Sequence, residues 1–155
     1  MKAITILQPY ASLIPAGAKK IETRGWKTSY RGKIAIHAGL GMQYLRFAFK
    51  EPFKTALQPV QTSCGGYNAE SFYLGHVIAI ADLVKCLKVI DWTIGDGLKV
   101  MSAILEDGQI ITDNELEFGD YAPGRYAWIL ANIQAIKPVP AKGMQRLWNW
   151  AGEAV

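Results

Sequence analysis

The chain has 155 residues, half of them hydrophobic and 19% charged, with a formal net charge of +4. This length suits one domain with a real core, and the composition excludes a disordered chain. No apolar run approaches the ~18 residues needed to span a bilayer, and two cysteines, Cys64 and Cys86, are too few for a disulfide framework.

Residues 3–7 (AITIL) read as a first strand. The next segment, QPYASLIPAG, starts a helix at Pro9, where a missing N–H costs nothing, and ends it at Gly17. Pro15 crowds the carbonyl four residues back, so the helix is expected to be short or to finish as a 3₁₀ turn. Residues 20–24 (KIETR) form a strand leaving that turn. The segment RGKIAIHAG makes a better one, with Ile34 and Ile36 on one face and Ala35 and His37 on the other.

Residues 41–50 suit a helix ended by Pro52, and 52–71 carry enough Pro and Gly to read as a long loop. GHVIAIADLVKCLKVI (75–90) is apolar on both faces for about ten residues, the pattern of a buried central strand. The stretch 91–124 is expected to hold a short helix or a hairpin. Residues 126–136 (YAWILANIQAI) are a further strand, broken by Pro138 and Pro140. In the tail, a turn at Gly143 precedes Leu147, Trp148 and Trp150. The expected class is α+β, mainly β: a small β-barrel with one or two short helices plugging or flanking it.

Charge is unevenly spread. From Met1 to Lys33 there are seven Lys or Arg and one acid, Glu22. From Asp91 to Asp120 there are eight acids and one base, Lys99. Two faces of opposite sign are expected, the basic one attracting phosphates. The N-terminal apolar stretch is interrupted by Gln8, Pro9 and Pro15 too early for a signal peptide, so a cytoplasmic protein that binds no membrane is expected.

The block QPYASLIPAGAKKIETRGWKTSYRGKIAIHAG resembles the opening of ASCH domains. The family pattern G-x-K-x-x-E-x-R stands here as Gly17, Lys19, Glu22 and Arg24, followed by Arg31, Gly32, His37 and Ala38. Later matches are the strand ending at Asp82, the Gly124, Tyr126, Trp128 opening and the tail KGMQRLW. The resemblance implies a single PUA-like barrel over residues 1–155, with segments 41–72 and 91–120 outside the match. It implies a cleft that takes RNA, a nucleotide or a modified nucleoside and needs no cofactor. Some members look like amidohydrolases acting on N4-acetylcytidine, and others behave as metal-assisted ribonucleases. The amidohydrolases have a Thr where this chain has Glu22, and that Thr is their presumed nucleophile.

The candidate binding residues are Gln8, Ser12, Lys19, Glu22, Arg24, Trp26, Lys27, Tyr30, Arg31 and His37. Basic groups interleaved with flat rings suit nucleic acid, since cations meet phosphates and rings stack on bases. Lys19, Glu22 and Asp82 form the catalytic set if the protein is an enzyme. Each has a plainer alternative. Lys19 is a surface lysine paired with Glu22; Asp82 is the partner of a turn or of a basic group; His37 is a packing residue. His37 and His76 are too isolated to predict a metal pair, so no zinc is expected. A protein-interaction adaptor using 91–120 remains a third reading.

Overall fold

The computed structural model describes residues 1–61 and 72–152. Cys64 and half of the expected 52–71 loop, residues 62–71, lie outside the described residues. The strands are β1 (Lys2–Ile6), β2 (Ile21–Arg24), β3 (Gly32–Ala38), β4 (His76–Ile94), β5 (Val100–Leu105), β6 (Ile110–Ile111), β7 (Tyr126–Pro140) and β8 (Leu147–Asn149). The helices are single turns: α1 (Tyr10–Leu13), α2 (Phe53–Ala56), α3 (Gln58–Gln61) and α4 (Asp113–Glu117). The fold is therefore mostly β with a few short helices, as expected.

Hydrogen-bonded strands follow the order β2-β7-β4-β3-β1-β8, with β5 on β4 and β6 on β5. This corrects the expected barrel. The sheet does not close, because its end strands β2 and β8 each find a partner on one side only.

The chain divides into two compact units. The first comprises Met1–Lys19, Lys33–Asp82 and Asn132–Val155; the second comprises Lys20–Gly32 and Leu83–Ala131. In the first, β1 runs parallel to β3 with Ile4 opposite Ile36, and antiparallel to β8 with Ala3 opposite Trp148. Ala3, Ala35, Val77, Ile80, Trp148 and Trp150 form its core. Trp148 and Trp150 thus pack as the tail pattern suggested. Met1 and Trp150 exchange two backbone hydrogen bonds, which fasten the tail strand to the first one. Ile34, Ala35, Ile36 and His37 are all buried, so β3 has no solvent face at its end.

The second unit packs Ile21, Val89, Ala103, Leu105, Ile111, Tyr121 and Ala127. Its acidic stretch contains both a hairpin and a helix. One of the acids is structural: the Glu115 carboxylate on α4 accepts the backbone N–H of Lys20 and of Ile21 at 3.0 Å each. It caps donors at the start of the short strand β2.

Four further expectations are corrected. Residues 41–50 give only a 3₁₀ turn over Leu45–Phe49, and α2 and α3 occupy 53–61, where a loop was expected. β4 runs on to Ile94, past the acidic boundary at Asp91. β7 continues through Pro138 and Pro140, because β2 pairs only with Tyr126–Ile129 and the prolines lie beyond it, where that neighbour needs no N–H.

Replacing Glu115 by Ala removes the acceptor of two amides. The expected loss is about 1–3 kcal/mol in urea unfolding, with faster hydrogen exchange at the Lys20 and Ile21 amides. Glu115→Gln, which keeps one acceptor oxygen, should lose less.

Candidate functional site

The turn after α1 is built by chain conformation. Gly17 has a left-handed φ of +83°, and no atom lies within 4 Å of where a Cβ would sit. Glycine is there for its backbone freedom, not for lack of space. The Leu13 carbonyl accepts from both Ala18 and Lys19 N–H, which closes the turn and delivers Lys19. Lys19 is only 1% exposed. The surface-lysine alternative therefore fails; a lysine so buried is held by partners.

Gln8 and Ser12 come together on α1. The Gln8 amide oxygen accepts the Ser12 N–H at 3.1 Å, and its nitrogen donates to the Tyr73 carbonyl at 3.1 Å. Both side chains are buried. Ser12 and Tyr73 line a cavity of about 230 Å³ with Pro15, Pro59, Val60 and Ile136. Tyr10 stands edge-on to Tyr44 and Phe53, so it belongs to an aromatic cluster of the same unit.

His37 sits in a chain of hydrogen bonds. The Trp148 indole N–H donates to Thr5 Oγ1 at 3.2 Å, Thr5 Oγ1 meets His37 Nδ1 at 3.2 Å, and His37 Nε2 meets the Ala141 carbonyl at 3.0 Å. Only one tautomer satisfies all three, with the proton on Nε2 and the Thr5 hydroxyl donating to Nδ1. Both ring nitrogens are thus occupied, as the packing alternative required. Burial lowers the His37 pKa below 6.5; the Ala141 bond raises it, and His76 lowers it further. The Thr5 and His37 pair forms the floor of a cavity of about 840 Å³, rimmed by Leu40, Lys142 and Met144.

Asp82 is a quarter exposed, although its strand neighbours are apolar. Its Oδ2 accepts from Asn132 Nδ2 at 2.8 Å, and Lys33 Nζ lies 3.6 Å from Oδ1. The basic partner is Lys33 rather than Arg24.

In the second unit, Glu22 and Arg24 share one face of β2, with Arg24 Nε 3.1 Å from Glu22 Oε1. Glu22 is 8% exposed. Its cross-strand neighbour on β7 is Trp128, so the two side chains project to the same side. Trp26 packs edge to face against Trp128, with ring centroids 4.7 Å apart. The Trp128 indole N–H is buried without a hydrogen-bond partner among the described residues. The two-residue alternation of β7 puts Trp128 opposite Glu22 only once the register is known. Arg31 turns back onto its own loop, donating from Nη1 to the Thr28 and Tyr30 carbonyls at 3.0 and 2.7 Å. Lys27 is exposed and Tyr30 half-buried.

The ASCH-domain family model matches residues 4–140. The chain belongs to the ASCH-domain family. No curated protein matches the sequence. The Gly17, Lys19, Glu22, Arg24 run lies within the matched residues. Among the described residues, no helix is long and apolar enough to cross a membrane.

The lowered His37 pKa makes a stability prediction. A histidine whose pKa is lower folded than unfolded stabilises the fold above its unfolded value, and that contribution is lost as pH falls below it. The melting temperature should be flat above about pH 7 and fall below about 6.5. His37→Gln should be less stable throughout and lose that step in a thermal melt followed against pH.

Proposed function

We propose that this ASCH domain binds single-stranded RNA, or a nucleotide or modified nucleoside, through the face of β2 and β7 that carries Glu22 and Trp128. The observation that carries this reading is the pairing of opposite hydrogen-bonding needs on one face. Glu22 is a buried acceptor oriented by Arg24, and Trp128 opposite it is a buried donor with no partner among the described residues. Leaving such a donor unpaired costs about 1–3 kcal/mol. A base edge with a ring nitrogen or carbonyl would give the Trp128 indole its acceptor, and an amino group on the same edge would add a donor beside Glu22. Trp26 offers a ring for stacking, and Lys27 an exposed cation for phosphate.

The experiment is a titration with a short single-stranded RNA at low and high salt. Affinity should fall linearly with the logarithm of salt. Glu22→Gln should weaken binding by about tenfold, the scale of one charge-assisted hydrogen bond. Trp128→Phe should weaken it similarly. Absence of binding at either salt would defeat the reading.

A second reading, hydrolysis of an N4-acetylcytidine-like nucleoside or of RNA, is favoured by the near-complete burial of Lys19. An amine held out of water beside a bound carbonyl group is placed to act as a base or nucleophile. Glu22, standing where the amidohydrolases have Thr, argues for activation of water rather than attack by a hydroxyl. Cytidine release from N4-acetylcytidine by the protein, and none by Lys19→Ala, would establish this chemistry. Release by neither leaves the binding reading in place.

A further inference from the structure

The hairpin of β4 and β5 holds apolar side chains in water within a frame of carboxylates. Ile90, Ile94, Leu98, Met101 and Ile110 are each at least half exposed, Leu98 at 86%. Exposed apolar residues scattered singly need no explanation, but these are grouped. Three lie within the eight residues 94–101, where Ile94 pairs with Val100 and Met101 lies against Gly95.

The backbone itself turns them outward. Val89 faces Leu105 and Asp91 faces Ile104, which leaves Ile90 as an extra residue on its strand. Thr93 faces Ser102 and Ile94 faces Val100, which leaves Met101 as the extra residue on the other. A bulge of this kind re-aims a side chain. Both extra residues here are large, apolar and exposed. At the turn, Gly97 and Leu98 have φ of +69° and +62°. Tight hairpin turns with two such residues favour Gly, Asn or Asp. A leucine there is strained, and at its exposure it gives the core nothing in return. Folding does not account for it.

The charge around these residues selects the partner. Asp91 and Asp96 are exposed toward the turn end of the hairpin, with Lys99 the one base between Asp91 and Met101, whereas Glu106 and Asp107 at the other end lie beside Lys88 and Lys85. The chain as a whole is positive, so this acidity is local. It repels nucleic acid and anionic lipid and attracts cations.

We propose that the hairpin docks a basic amphipathic segment of a partner protein. Its apolar residues would seat on Ile94, Leu98 and Met101, and its Lys or Arg would face Asp91 and Asp96. This surface is independent of the β2 and β7 face, so either assignment stands or falls alone.

The test uses the full chain with labelled Ile, Leu and Met methyl groups. An alternating Lys–Leu peptide is titrated at low and high salt, beside its Glu–Leu counterpart. The Lys–Leu peptide should shift the methyl signals of Ile94, Leu98 and Met101, more strongly at low salt, and the Glu–Leu peptide should not. Leu98→Gly and Leu98→Asn should weaken the Lys–Leu peptide by about tenfold or more, the scale of an interface hot spot. Both variants should keep or raise the melting temperature, because Gly and Asn accept a positive φ. A fall in melting temperature in both variants would make Leu98 a structural residue and overturn the proposal. So would binding of neither peptide, equal binding of both, hairpin shifts on adding RNA, or shifts with protein concentration alone, which would name a second copy as the occupant.

Discussion

Strands β4 and β7 each serve two cores, and the other elements are arranged around that constraint. β4 is 19 residues long and β7 is 15, well beyond the usual five or six. The first seven residues of β4 belong to the first unit and the rest to the second, and β7 divides in the reverse sense. Their side chains record the change. From Val77 to Ala81 every residue of β4 is buried, as two-sided packing demands; from Val84 onward only Cys86 and Val89 are. The short strands then complete ladders that the long ones begin. β2 is four residues long because β7 has only Tyr126–Ile129 to offer it, and so the motif residues Glu22 and Arg24 stand on an edge strand. An edge strand lacks a neighbour on one side, and Glu115 partly supplies one from a side chain.

That dependence explains which features were readable from sequence. The Gly17 to Arg24 run is local chemistry: a glycine turn, a lysine and a short strand, all visible in eight letters. Strand cores are also local, because apolar runs announce themselves. What failed was non-local. His37 looked like the end of a strand, yet its partners Thr5 and Ala141 stand 32 and 104 positions away. Asp82 has apolar strand neighbours, but Lys33 on β3 and Asn132 at a distance of 50 positions keep it at a wet surface. The prolines of β7 looked like breakers because nothing in the sequence says which residues have a neighbour on the N–H side. The bulges at Ile90 and Met101 scrambled the alternation that would have extended β4 into the acidic stretch.

The unpaired donor on Trp128 and the paired chain at His37 show two uses of buried polarity. At His37 every donor meets an acceptor, from the Trp148 indole through Thr5 to the Ala141 carbonyl. Such a closed network rigidifies its surroundings and specifies one arrangement of the tail over β1 and β3. At Trp128 the accounting is open: a buried N–H without an acceptor lowers stability, and a protein selected for stability alone would have Phe there. The difference between these two sites, more than the charge of the basic block, separates what holds the domain together from what is available for recognition.

The same contrast governs the surface. Arg31 is counted among the basic residues of the N-terminal block, but its guanidinium is spent on two carbonyls of its own loop. Arg24 is drawn to Glu22, and Lys19 is out of reach of bulk water. Of that block's cations, few are exposed and uncommitted enough to steer a polyanion from a distance. Steering depends on charge seen through solvent, and it weakens where each cation has an acid or a carbonyl beside it. On the proposed reading, a ligand would be selected less by long-range attraction than by the fit of its edge to Glu22 and Trp128. That favours a site reading a base over one that merely tracks a phosphate backbone.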